Sequence, residues 1–180
     1  MMYKAKQNHN TQRLNAAFFE RDVLEVAPRL LGKIIVRCFD NGEVKRYRIS
    51  ETEAYRGTDD LACHASKGRT PRTEVMYGEA GLIYVYLIYG MYWLLNFVTS
   101  EKDYPAAVLI RSLVEVQGPG RIGRELNLDK SFNAQSLLTS NRLWVEDDGY
   151  TAKHKTDVRI GVDYAGEWSK KPWRFVLQSK

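Results

Sequence analysis

Apolar residues along this chain come in short runs, separated by clusters of Gly, Pro, Asn and Asp. That punctuation predicts a series of short strands and helices. Residues 14–31 begin with Ala16, Ala17, Phe18 and Phe19, then carry Val23, Val26, Ala27 and Leu30 at helical spacing. Asp22 is placed to cap the second piece, Pro28 to kink it and Gly32 to end it. Residues 33–39 read as a strand, Asn41-Gly42 as a hairpin turn and residues 44–55 as the return strand. Residues 56–73 lack periodicity and read as a polar loop. Residues 81–100 read as two strands broken at Tyr89-Gly90, and residues 106–116 as an apolar strand interrupted by Arg111. Gly118-Pro119-Gly120 opens a helix over residues 121–126. A short helix near residues 134–139, a strand over 142–146 and final strands over 158–161 and 174–177 complete the pattern. Hairpins mixed with flanking helices predict an α+β fold: one domain over residues 13–180, with an antiparallel-rich, curved sheet and a protruding β-hairpin. Residues 1–12 are polar and read as a loose tail.

The uncharged stretch over residues 81–100 is long enough to test as a membrane span, which needs about 20 apolar residues. Its aromatic and β-branched content and its break at Tyr89-Gly90 favour a hairpin instead, and no membrane partner is expected. Tyr84 and Tyr86 alternate and share one face of a strand. Tyr89 falls at the tip, where a sheet cannot hide it. The bland reading is a core hairpin with a tyrosine at its rim. The sharper one is a wedge that enters a stack of bases.

Composition narrows the partner and the compartment. With 27 Lys and Arg against 22 Asp and Glu, the net charge of +5 favours a polyanion. The basic residues fall in three clusters: Lys67, Arg69 and Arg72; Arg121 and Arg124; Lys170, Lys171 and Arg174. Each alone is an ordinary solvated surface, and together they suit a phosphate track. Two cysteines, Cys38 and Cys63, make no disulfide framework and fit a reducing compartment. The N-terminus lacks the apolar core of a secretory signal, so a cytoplasmic chain is expected.

Six positions stand out for chemistry. Glu51 and Glu53 lie two apart on a strand and share a face, where paired carboxylates repel; on a wet face they are inert, and facing a cleft one can act as a general base. Cys63-His64 admits a thiol-nucleophile reading, or a metallohydrolase using Asp59 or Asp60. Sequence neighbours seldom face each other, however, and His9 and His154 have no ligand spacing, so no metal is expected. Arg111 and Asn96 each interrupt an apolar strand and need a partner or a function there.

Taken together, several motifs resemble the alkyladenine DNA glycosylases, the mammalian-type 3-methyladenine DNA glycosylases. They are Glu51-Thr52-Glu53-Ala54-Tyr55, Ala62-Cys63-His64, Gly68-Arg69-Thr70-Pro71-Arg72, Ile83–Tyr92, Leu109-Ile110-Arg111, Gly118-Pro119-Gly120-Arg121 and Arg159-Ile160-Gly161-Val162, with Ala165-Gly166-Glu167-Trp168 following. The likeness runs in order from about Phe18 to Leu177. It implies an enzyme that excises alkylated or deaminated purines from double-stranded DNA by way of the minor groove, with no metal or cofactor; a monomer suits an enzyme that scans DNA. By the resemblance, Glu53 activates the attacking water and Arg111 holds that water or a phosphate. Tyr55, Ala62, His64, Tyr86 and Asn96 form the base pocket. Tyr89 fills the vacated stack with Met91 beside it. Arg69, Arg72 and Arg121 are expected at the DNA backbone. No lysine is marked as a Schiff-base nucleophile, which implies base excision without strand cleavage. Glu51 receives no role. Arg121 stands where the family has lysine, and residues 97–107 run slightly longer than in mammalian members.

Overall fold

A computed structural model describes residues 11–178 of the 180-residue chain. The strands are β1 (Gln12–Arg13), β2 (Ile34–Cys38), β3 (Val44–Arg56), β4 (Ile83–Ile88), β5 (Tyr92–Val98), β6 (Ala106–Leu113), β7 (Leu143–Asp147), β8 (His154–Asp157) and β9 (Arg174–Leu177). The α-helices are α1 (Ala16–Phe19), α2 (Val23–Leu30) and α3 (Pro119–Glu125). The strands join one antiparallel sheet in the order β1-β7-β2-β3-β6-β5-β4, with β9 on β3 and β8 on β9. The α+β class expected from the sequence is the one observed.

β3 organises this sheet. Its first half pairs with β2 through the Asn41-Gly42 turn, where Gly42 takes φ 85. Its second half pairs with β6, and Glu51, Thr52 and Glu53 also pair with β9. The β3–β6 register slips on either side of Glu51, a bulge that re-aims side chains there.

Helices cover the sheet. α2 lays Val23, Val26, Ala27 and Leu30 into the core. Burying an aliphatic side chain of this size is worth roughly 1.5–3 kcal/mol. Asp22 caps α2 by accepting the Leu24 N–H at 2.8 Å, as its position before the apolar run predicts. Thr52 Oγ1 donates to the Ala27 carbonyl at 2.8 Å, fixing α2 on β3. α3 lies against β5 at close range. A Cβ on Gly123 would sit 2.0 Å from the Trp93 carbonyl oxygen. Gly123→Ala is therefore expected to lower stability by about 1–3 kcal/mol, because backbone rather than a flexible side chain blocks the new methyl. A thermal melt reads this, and an unchanged midpoint would refute the packing argument.

Three expectations are corrected. Residues 134–139 are not helical. Their backbone bonds to the edge of β4 instead, with Ile83 N–H donating to Gln135 O and Leu137 N–H to Gly81 O, both at 2.8 Å. The expected strand over 158–161 is irregular, and the strand lies just before it, at β8. The loose tail falls on residues 1–10, outside the described residues, and on Gln12, which instead pairs with Asp147 in β1. No helix among the described residues is long and apolar enough to cross a membrane, and residues 81–100 carry the β4–β5 hairpin.

Candidate functional site: a carboxylate behind an aromatic cavity

The β4–β5 hairpin, β3, β6 and the 160–164 segment enclose a cavity of about 350 Å³. Tyr55, Ala62, His64, Arg72, Tyr84, Tyr86, Tyr89, Asn96 and Arg111 line it, joined from the C-terminal side by Ile160, Val162 and Tyr164. Tyr55, Ala62, His64, Tyr86, Asn96 and Arg111 were expected together, and they meet here.

Glu53 sits directly behind this wall, fully buried. Its Oε1 accepts the Ile160 N–H at 2.8 Å and its Oε2 accepts the Tyr55 hydroxyl at 2.7 Å. Arg111 Nε stands 3.6 Å from Oε1. All three partners line the cavity. Burial pushes the Glu53 carboxyl above its usual range; Arg111 pulls it back most, then the Ile160 amide and the Tyr55 hydroxyl, while Glu51 adds to the push. Burial, together with the charge of Glu53, raises the Tyr55 phenol far up, so it stays a neutral donor.

Glu51 has a structural part that its sequence context did not reveal. It accepts from Arg174 Nη1 at 2.8 Å and from Ser112 Oγ at 2.9 Å, and it lies 3.7 Å from Arg111 Nε. It thereby helps hold Arg111, and Arg174 is engaged rather than free at a surface.

The aromatic wall is a set of edge-packed rings. His64 and Tyr86 centroids are 4.5 Å apart at 71°, and Tyr84 and Tyr86 5.5 Å at 41°. The Tyr84 hydroxyl lies 2.9 Å from His64 Nδ1. Burial, helped by the charge of Arg72, lowers His64 to about 4, so the ring is neutral at pH 7. Asn96 Nδ2 donates to the Tyr84 carbonyl at 3.2 Å, which fixes the amide against β4.

Tyr89 is 85% exposed, at the tip of the hairpin. It takes φ 51 and Gly90 φ 66, while Met91 N–H closes the turn on the Ile88 carbonyl at 3.0 Å. A bulky residue in left-handed backbone costs about 1–2 kcal/mol, and such strain gathers at functional positions. Met91 is exposed beside it.

Among the expected backbone cations, Arg69 is bound to Glu74 at 2.7 Å and Asp103 at 3.0 Å. Arg121 is exposed in the first turn of α3. Arg72 lies over the Tyr86 ring, in the cavity wall. The Cys63–His64–Asp grouping does not assemble. Burial raises the Cys63 thiol to about 12, and Asp60 is locked to Arg159. Among the described residues no group of three or more His, Cys, Asp or Glu is placed to hold a metal ion.

That Asp60–Arg159 pair escaped the sequence reading. Both side chains are fully buried and meet through two bonds of 2.6 and 2.8 Å. Arg159 also donates to the Ala54 and Trp168 carbonyls and lies between the Tyr55 and Trp173 rings. Asp60 in turn accepts the Arg56 and Ala62 amides. One ion pair therefore holds Tyr55, Ala62 and, next to Arg159, Ile160. Tyr84 was legible from its alternation with Tyr86. Tyr164, 71% exposed with its hydroxyl 3.5 Å from the Ala62 carbonyl, carried no signal.

A family model described as methylpurine-DNA glycosylase (MPG) matches residues 17–118 and 115–180. A protein of Methanocella arvoryzae is 45% identical over 178 residues, covering 88% of each chain. One of Legionella pneumophila (strain Corby) is 44% identical, over 93% of this chain and 95% of its own. One of Rickettsia felis is 42% identical, over 89% of this chain and 90% of its own. All three bear the name "Putative 3-methyladenine DNA glycosylase". The family model's match spans the aromatic cavity and the carboxylate behind it, and the chain belongs to the methylpurine-DNA glycosylase family.

Proposed function

We propose that this protein removes alkylated or deaminated purines from duplex DNA by hydrolysing the N-glycosidic bond of a base turned out into the cavity. One observation carries the reading: a buried carboxylate, Glu53, whose three partners form the wall of a cavity lined by aromatic rings. A stacked base hides its sugar carbon, so such an enzyme must extrude the nucleotide, at a cost of a few kcal/mol that is smaller for a damaged base. Rings of Tyr55, His64 and Tyr86 offset that cost by stacking, worth about 1–3 kcal/mol per base. A neutral His64 takes a base edge without adding charge.

Water gives its proton to Glu53 while its oxygen bonds to the sugar carbon. The glycosidic electron pair leaves with the purine. Glu53 also offsets the positive charge that develops on the sugar. For water to reach the carboxylate, the Tyr55 hydroxyl or the Arg111 guanidinium yields its place as the base enters. Among the described residues the cavity lining contains no lysine, in keeping with excision without strand cleavage. The protein acts as a monomer from the minor groove, with Arg121 at the phosphates. Release of free hypoxanthine or methylated purine from a duplex, leaving an intact abasic strand, is the test; no release from any lesion would reject the reading.

Tyr89 is the wedge, supported by Met91. Tyr89→Ser is expected to reduce base extrusion about tenfold, as lost stacking of this size implies. Its melting temperature stays at the wild-type value, since the side chain buries little. Fluorescence of 2-aminopurine beside the lesion reads extrusion directly. Normal extrusion, or a large fall in melting temperature, would remove Tyr89 from this role.

A further inference from the structure

We propose that Arg72 sets lesion preference, weighting the cavity toward uncharged purine lesions and against purines that carry a formal positive charge. The proposal rests on the base-excision reading and deepens it. The Arg72 guanidinium carbon lies 5.3 Å from the centroid of Tyr86, one of the rings in the cavity wall. Its charge is also felt by His64, which it helps keep neutral, and by Tyr84, whose hydroxyl it approaches. Arg69, three residues earlier, is neutralised by Glu74 and Asp103. Among the described residues no carboxylate lies within ion-pair distance of Arg72.

An aromatic face attracts cations through its quadrupole. Here a resident cation already uses that attraction. A purine methylated at N3 or N7 carries a positive charge in the nucleoside and meets a like charge beside Tyr86. A neutral lesion meets no such repulsion. N3, N7 and the carbonyl oxygen of hypoxanthine are moreover acceptors, and a guanidinium has only donors to offer. Methylated purines leave the sugar more readily, so a wall that disfavours them narrows the gap between the two lesion classes.

The experiment compares single-turnover excision from duplexes holding one hypoxanthine or one 7-methylguanine, using wild type, Arg72→Gln and Arg72→Lys. Arg72→Gln is expected to raise the 7-methylguanine to hypoxanthine rate ratio about three- to fivefold, the size of a partly screened charge contact. Arg72→Lys keeps the charge and holds the ratio within about twofold of wild type. A ratio unchanged by Arg72→Gln overturns the proposal, whether both rates fall together, as for a phosphate contact, or neither moves. Arg72 is exposed, so melting temperatures should match wild type; Arg72→Met supplies the same comparison if Gln does not. Wild type that releases neither lesion overturns the base-excision reading as well, whereas excision with an unmoved ratio overturns only this inference.

Discussion

Glu53→Gln is expected to slow excision about 100- to 10,000-fold, the span of a lost general base, while the fold becomes no weaker. The amide oxygen keeps the Ile160 N–H, its NH2 can donate to the Tyr55 hydroxyl once that hydroxyl turns to accept, and neither group can take a proton from water. Its effect on stability has the opposite sign. Burial is the largest influence on Glu53 and raises its carboxyl above the usual range. The unfolded chain gives up this proton more readily than the folded one. Ionisation therefore destabilises the fold once pH passes the ordinary glutamate value of about 4.3 and continues to do so up to the raised folded value. Gln removes that loss. Loss of the Arg111 contact works against this, but it is the smaller influence. The variant should melt at or above the wild-type temperature near pH 7, with the gain vanishing toward pH 4. The wild-type rate should climb with pH through a midpoint above the usual glutamate range. Equal excision by the two proteins would mean that Glu53 is not the base.

Arg159→Ala is expected to be the most damaging substitution for stability. It leaves Asp60 as a fully buried, unpaired carboxylate. Breaking such a pair costs about 3–5 kcal/mol, or roughly 6–20 °C in melting temperature for a chain of this size. The Asp60→Ala/Arg159→Ala double variant should fall well short of the sum of the singles, because removing the second partner also removes the orphan charge. Calorimetry of the four proteins closes the cycle. A single variant melting within about 2 °C of wild type would show the pair to be dispensable.

Much of this molecule is readable where the determinant is local. Asn41-Gly42, Asp22 before an apolar run and the aromatic alternation of Tyr84 and Tyr86 each state their geometry within a few residues. The departures arise where distant chain decides. β8 is missed because His154, Lys155, Thr156 and Asp157 are all exposed, so no apolar alternation marks a strand held only by its pairing with β9. Val158 and Ile160 look like strand residues, yet each is nearly half exposed, because Ile160 is placed there for its amide. Residues 134–139 have the composition of a helix, but the free edge of β4 offers their backbone better partners. Tyr55, Ala62, His64, Tyr86 and Asn96 line one cavity. The Ile160 amide and the Asp60–Arg159 pair did not announce themselves: a backbone group has no residue type, and nothing local links positions 60 and 159.

Glu53 and the amide that grips it are separated by 107 residues, and the strand beside Glu53, β9, is the last strand among the described residues. During synthesis the carboxylate leaves the ribosome long before its clamp exists. A nascent chain therefore carries every aromatic ring of the hairpin while Glu53 still lacks the Ile160 amide. The grip on Glu53 thus joins parts of the chain that are made far apart in time.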